Sequence, residues 1–131
     1  MPQGPNLDQK RARHAWELIE ALAKKKDRHK FETQVKKFPV RVVSSGLGQA
    51  LAFLVSKKSD AHPNGYAPDL VSALGDWIGD RIPASGSPGL LDRIVKGNSE
   101  FLRRATDEVL SYMLWVVRFA EAKGMTKEQE E

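Results

Sequence analysis

Two apolar stripes at helical spacing meet at Ser44-Ser45-Gly46-Leu47-Gly48, and this meeting point limits how the chain can fold. Phe31, Val35, Phe38 and Val42 recur every three or four positions before it, and Leu47, Ala50, Leu51, Leu54 and Val55 do so after it. Such spacing marks amphipathic helices. Gly46 adopts a positive φ without steric cost, so the first helix can stop there. Ser44 or Ser45 is placed to cap the second helix. Gly48, in its first turn, has no side chain to hold a neighbouring helix away. The stretch predicts a sharp joint, with the rest of a bundle built around it. Pro39 interrupts the first stripe. Proline removes a backbone donor and crowds the preceding turn, so the helix is expected to kink or break near Phe38, with pieces over about 30–37 and 39–45.

The remaining periodic segments are also helical. Ala12, Ala15, Trp16, Ile19, Leu22 and Ala23 give a first helix from Asp8, whose end carries Lys24-Lys25-Lys26, where cations suit the helix dipole. His14, Glu17 and Arg11 on it read as a solvated face. Pro68 opens a helix buried through Leu70, Val71, Leu74, Trp77 and Ile78. Ser87-Pro88 opens a short one with Leu90, Leu91, Ile94 and Val95. Ser99 caps the last, over about 100–123, closed by Gly124. Leu102, Val109, Met113, Val116 and Ala120 form its seam, and Leu110, Leu114 and Val117 widen the seam until the helix reads as buried. The expected fold is all-α: one domain over residues 1–131, a compact bundle of about six helices, with flexible tails at 1–6 and 125–131.

Charge is unevenly placed. Residues 1–41 hold eleven Lys/Arg against five Asp/Glu, while residues 42–131 hold ten against twelve. The positive excess therefore lies in the N-terminal third, on Lys24, Lys25, Lys26, Arg28, Lys30, Lys36, Lys37 and Arg41. This set could grip a phosphate backbone without reading sequence, although a solvated helix end and loop would carry the same charges. No exposed aromatic platform is recognisable beside it, since Phe31 and Phe38 fit the apolar stripe. With no cysteine, no signal-like start and no apolar run long enough to cross a bilayer, a cytoplasmic, membrane-free protein is expected.

Catalytic chemistry finds no support. His14, His29 and His62 have no partner at a ligand spacing, and no serine is framed as a nucleophile. Asp76 and Asp80 are one turn apart but neighbour Arg81 on a polar face. No cofactor, metal or catalytic residue is expected. Gly46-Leu47-Gly48 fails as a dinucleotide fingerprint, because position 51 is Leu51 and no strand precedes it. A phosphate on the free N–H groups opening the helix after Gly46 stays possible. A helix-turn-helix reading fails because only Gln49 on that helix could read a base edge.

Lys36-Lys37-Phe38-Pro39, followed by Gly46-Leu47-Gly48-Gln49-Ala50-Leu51-Ala52-Phe53-Leu54, resembles the small, all-helical subunit of the Cmr complex, the type III-B CRISPR RNA-guided effector. That family carries Lys-Lys-Leu-Pro and then Asn-Gly-Leu-Gly-Gln-Ala-Leu-Ala-Phe. Lys36, Lys37, Pro39 and Gly46 to Phe53 match; Phe38 stands for leucine and Ser45 for asparagine. Weaker likeness covers Ala15/Trp16, Leu70/Leu74/Trp77 and Trp115, Arg118, Phe119 and Ala120. The resemblance implies a non-catalytic structural subunit in antiviral defence. Its partners would be the other Cmr subunits, further copies of itself, and the backbone of guide and target RNA. Pro39, Gly46, Gly48 and Gln49 would then be architectural, and the basic residues would hold target RNA. The alternative is a free-standing, sequence-nonspecific nucleic-acid-binding module.

Overall fold

The computed structural model describes residues 4–25, 28–59, 66–86 and 88–124. Among them lie six α-helices: α1 (Leu7–Ala23), α2 (Phe31–Ser45), α3 (Leu47–Ser59), α4 (Ala67–Arg81), α5 (Leu90–Lys96) and α6 (Ser99–Ala122). A 3₁₀ turn, Arg28–Lys30, leads into α2. The fold is the all-α bundle expected from the periodicity. Its 24-residue α6 is about 36 Å long at about 1.5 Å per residue. It packs on α1, α2 and α4, while α3 packs on α2, α4 and α5. One hydrophobic core draws on all six helices.

On α6, the buried side is Ala105, Val109, Tyr112, Met113, Val116 and Ala120. The helix is not enclosed all round, contrary to its apolar middle. Leu114 is 70% exposed, and Leu102, placed in the seam by its spacing, is also on the outer side. Neighbouring helices cover only part of the cylinder, and apolar composition does not say which part.

Helix starts differ from expectation because asparagine competes well with serine as a cap. Asn6, read as tail, caps α1: its side chain accepts from Gln9 N–H at 2.8 Å, and Gln9 accepts from Asn6 N–H in return. Asn98, not Ser99, caps α6 through Phe101 N–H at 2.9 Å. α5 starts at Leu90 behind Gly89, later than the Ser87-Pro88 signal. Gly124 has φ 66 just beyond α6, as its closing role requires. Lys26, His62, Ser87 and the expected tails at 1–3 and 125–131 lie outside the described residues.

The expected division of the second helix does not occur. α2 runs unbroken from Phe31 to Ser45 with Pro39 inside it. Proline still deprives the Val35 carbonyl of its donor, but buried Phe38 and Val42 on either side hold both halves in the core. Gly46 then makes the joint alone, with φ 90 and ψ 156. Its N–H donates to Val42 C=O at 2.9 Å, and its C=O accepts from Ala50 N–H at 3.1 Å. Neither serine caps α3. Ser44 Oγ donates back to Val40 C=O, and Ser45 is the last residue of α2. A Cβ on Gly48 would meet Ile94 Cγ2 of α5 at 3.4 Å, an ordinary contact. The approach there involves side chains and has room for a methyl group.

Candidate nucleic-acid interface

The basic residues form a discontinuous surface along the end of α1, the 3₁₀ turn and α2. Lys24 follows α1 and is exposed, as are Arg28, Lys30 and Lys37. Among the described residues these four face no carboxylate within ion-pair distance. Two others are already engaged. Lys25 Nζ lies 3.1 Å from Asp69 of α4. Lys36 Nζ is shared between Glu32 at 2.9 Å and Glu121 of α6 at 3.1 Å. Hydrogen bonds from Lys36 hold its own ionisation above the usual lysine value and that of Glu121 below the usual carboxylate value. Lys36 therefore clamps α2 to α6 and offers a partner little net charge.

Spacing along α2 puts Thr33, Lys36, Lys37, Val40 and Arg41 around one shallow groove. Val40 and Val43 are 66% and 76% exposed, so the outer face of α2 mixes cations with apolar side chains. Arg41 reaches across the joint, its guanidinium carbon 4.1 Å from the ring centroid of Phe53 on α3. Lys57 Nζ, one turn further along α3, lies 5.3 Å from the same centroid. Phe53 and Lys57 were outside the basic set read from the sequence, and Phe53 corrects the expectation that no exposed aromatic side chain stands beside it. The Phe53–Lys57 spacing of one helical turn was visible. The pairing with Arg41 depends on how α2 and α3 fold together. Gln49, next to the joint, is exposed.

A second polar cluster binds α1 to α4 and α6. Arg11 Nε and Nη2 donate to Glu108 at 2.7 and 3.0 Å, and Trp77 Nε1 donates to the same carboxylate at 2.7 Å. Burial pushes the Glu108 carboxyl up, but these hydrogen bonds and the charges of Arg11 and Arg81 outweigh it and hold the group below its usual range. The Tyr112 hydroxyl is pushed up, chiefly by burial, and stays protonated. His14 is 2.7 Å from both Tyr112 Oη and Asp76 Oδ2. Asp76 accepts, which places a proton on Nε2; in the neutral ring, Nδ1 then accepts from the Tyr112 O–H. The expected solvated face of Arg11 and His14 is thus an interhelical network. Periodicity did not show it, because its partners lie 62 to 98 positions away.

Acidic residues gather elsewhere. Asp76, Asp80 and Asp92 rim a groove among α3, α4 and α5 with Gly75 and Gly79 in its lining. Among the described residues, no three His, Asp or Glu side chains converge as metal ligands. No described helix is long and apolar enough to cross a membrane.

Comparison with known proteins places these features in context. The model of the family described as CRISPR-associated protein (Cas_Cmr5) matches residues 7–123. The Cmr subunit Cmr5 of the CRISPR system of Thermus thermophilus is 33% identical over 112 residues, covering 85% of this chain and 90% of that protein. The crystal structure of a CRISPR-associated Cmr5 family protein from Thermus thermophilus superposes with a TM-score of 0.71 at 28% identity, covering 90% of this chain and 97% of that one.

Proposed function

This chain belongs to the CRISPR-associated Cmr5 family, and from that premise we propose that it is a non-catalytic subunit of a type III-B CRISPR effector, the Cmr complex. In this reading it works in the cytoplasm, beside the other Cmr subunits and further copies of itself, and holds target RNA against the complex. One observation carries the RNA-holding role: Lys24, Arg28, Lys30, Lys37 and Arg41 present charge that no carboxylate among the described residues neutralises. Cations left open in this way exchange counterions for phosphates. Cations that meet phosphates fix position and carry no sequence information, so contact would follow backbone charge and leave sequence to base pairing. Further copies would meet this chain at the groove among α3, α4 and α5, where Asp76, Asp80 and Asp92 outnumber Arg93, although Asp92 is paired with Lys96 at 3.1 Å and Asp76 with His14 at 2.7 Å.

The test is target-RNA capture by the complex assembled with and without this chain, and with Lys30→Glu/Lys37→Glu in its place. Capture should fall on omission and on charge reversal. Capture unchanged by both would refute the reading. The free-standing alternative is separated by salt titration of the isolated chain. A binder contacting about 4–6 phosphates alone gives a log–log slope of about −3 to −4 on single strands. A subunit that works only when arrayed binds weakly or not at all by itself.

A further inference from the structure

Phe53 stands on the outside of the joint, 37% exposed, in a chain whose other buried or half-buried phenylalanines serve the core. Its ring gathers two cations: Arg41 at 4.1 Å and Lys57 at 5.3 Å from the centroid. Neither has an ion-pair partner among the described residues. Arg41 also acts on the Tyr66 hydroxyl, whose ionisation is pushed up by burial and opposed by the arginine. A ring face attracts a cation through its quadrupole without cancelling its charge. This is the opposite of the arrangement at Lys36, where two carboxylates absorb the charge. The joint makes the difference: Gly46, at φ 90, folds α3 back along α2 so that Arg41 reaches a ring twelve positions later in the chain.

We infer that Phe53 is a positioning residue for RNA: its ring holds Arg41 and Lys57 in place as a charged pair for phosphates of one single strand. The inference rests on the RNA-holding reading above. Both cations lie within 5.3 Å of one centroid, so they address the same or adjoining phosphates. Ordering by the ring lowers the rotamer freedom that two long side chains would lose on binding.

Filter binding of fluorescein-labelled RNA complementary to the guide, by the complex assembled with full-length variants of this chain, tests it. Arg41→Ala and Lys57→Ala should each weaken capture. Each should also shrink the loss of affinity between about 50 and 200 mM salt by about 2.6-fold, the share of one single-strand phosphate contact. Phe53→Leu should weaken capture by about 2- to 5-fold while leaving the salt dependence unchanged, because both charges remain. Phe53→Trp, with a stronger ring, should restore capture. A melting curve on each variant separates loss of fold from loss of positioning, and Phe53→Met provides a second ring-free side chain. Capture by both ring-free variants equal to wild type overturns the inference, and so does a loss that tryptophan does not recover. If Lys37→Gln, Arg41→Ala and Lys57→Ala also leave capture unchanged, the RNA-holding reading falls and takes this inference with it.

Discussion

Replacing Glu108 with alanine should unseat α1 from α4 and α6. The carboxylate accepts from Arg11 Nε and Nη2 at 2.7 and 3.0 Å and from Trp77 Nε1 at 2.7 Å. The side chains of Arg11 and Glu108 are each only 12% exposed. Losing the acceptor leaves the Trp77 N–H unsatisfied, at about 1–3 kcal/mol. Breaking a fully buried ion pair from one side costs about 3–5 kcal/mol. Arg11 keeps Asp8 at 2.7 Å, so the expected total is smaller, about 2–4 kcal/mol. An unfolding entropy of about 2.1 cal/mol/K per residue over this 131-residue chain converts that to a fall in Tm of about 7–14 °C. Far-UV circular dichroism melts at neutral pH measure it. Glu108→Gln keeps an acceptor for Trp77 but not the charge facing Arg11, and should lose about half as much. The pH dependence has a definite sign. Folding lowers the ionisation of Glu108 below its ordinary 4.5. Its contribution is therefore complete above that value and disappears as pH falls through the lowered one. The stability gap between wild type and Glu108→Gln should close in that acid range. A Glu108→Ala melt within about 2 °C of wild type at neutral pH would refute the account of this network.

The other predictions concern the joint and the basic face. Gly46→Ala should cost about 1–3 kcal/mol from backbone strain alone, since its φ is 90 and nothing crowds the site; an unchanged urea midpoint contradicts this. Gly48→Ala should be neutral or up to about 1 kcal/mol stabilising, by helix propensity, because the new methyl would sit 3.4 Å from Ile94. Gly48→Leu should lose about 1–3 kcal/mol by forcing Ile94 aside. Equal urea midpoints for the two Gly48 variants would deny that Ile94 limits the space. Lys37→Gln should reduce the salt slope of RNA capture by about 0.7, and an unaltered slope would place Lys37 away from phosphate.

Helix content, helix order and most of the core were legible in the sequence. The reason is that helical burial is a local property: Phe31, Val35, Phe38 and Val42 repeat at the helix period, and all four are buried. Gly46 was legible for a related reason, since a reversal between two apolar stripes needs a residue tolerant of positive φ. The glycine run was also the most informative stretch about family. Tertiary structure decided how the charges are used. Lys36 and Lys37 are adjacent and chemically alike, yet one is clamped by Glu32 and Glu121 while the other stands open. Glu121 lies on another helix, so its distance from Lys36 depends on how α2 and α6 pack, which no local period encodes. Pro39 was decided in the same way, because burial of Phe38 and Val42 offset the local preference to break. So was the pairing of Arg41 with Phe53, where a charge from one helix meets a ring from the next only after the chain has turned at Gly46.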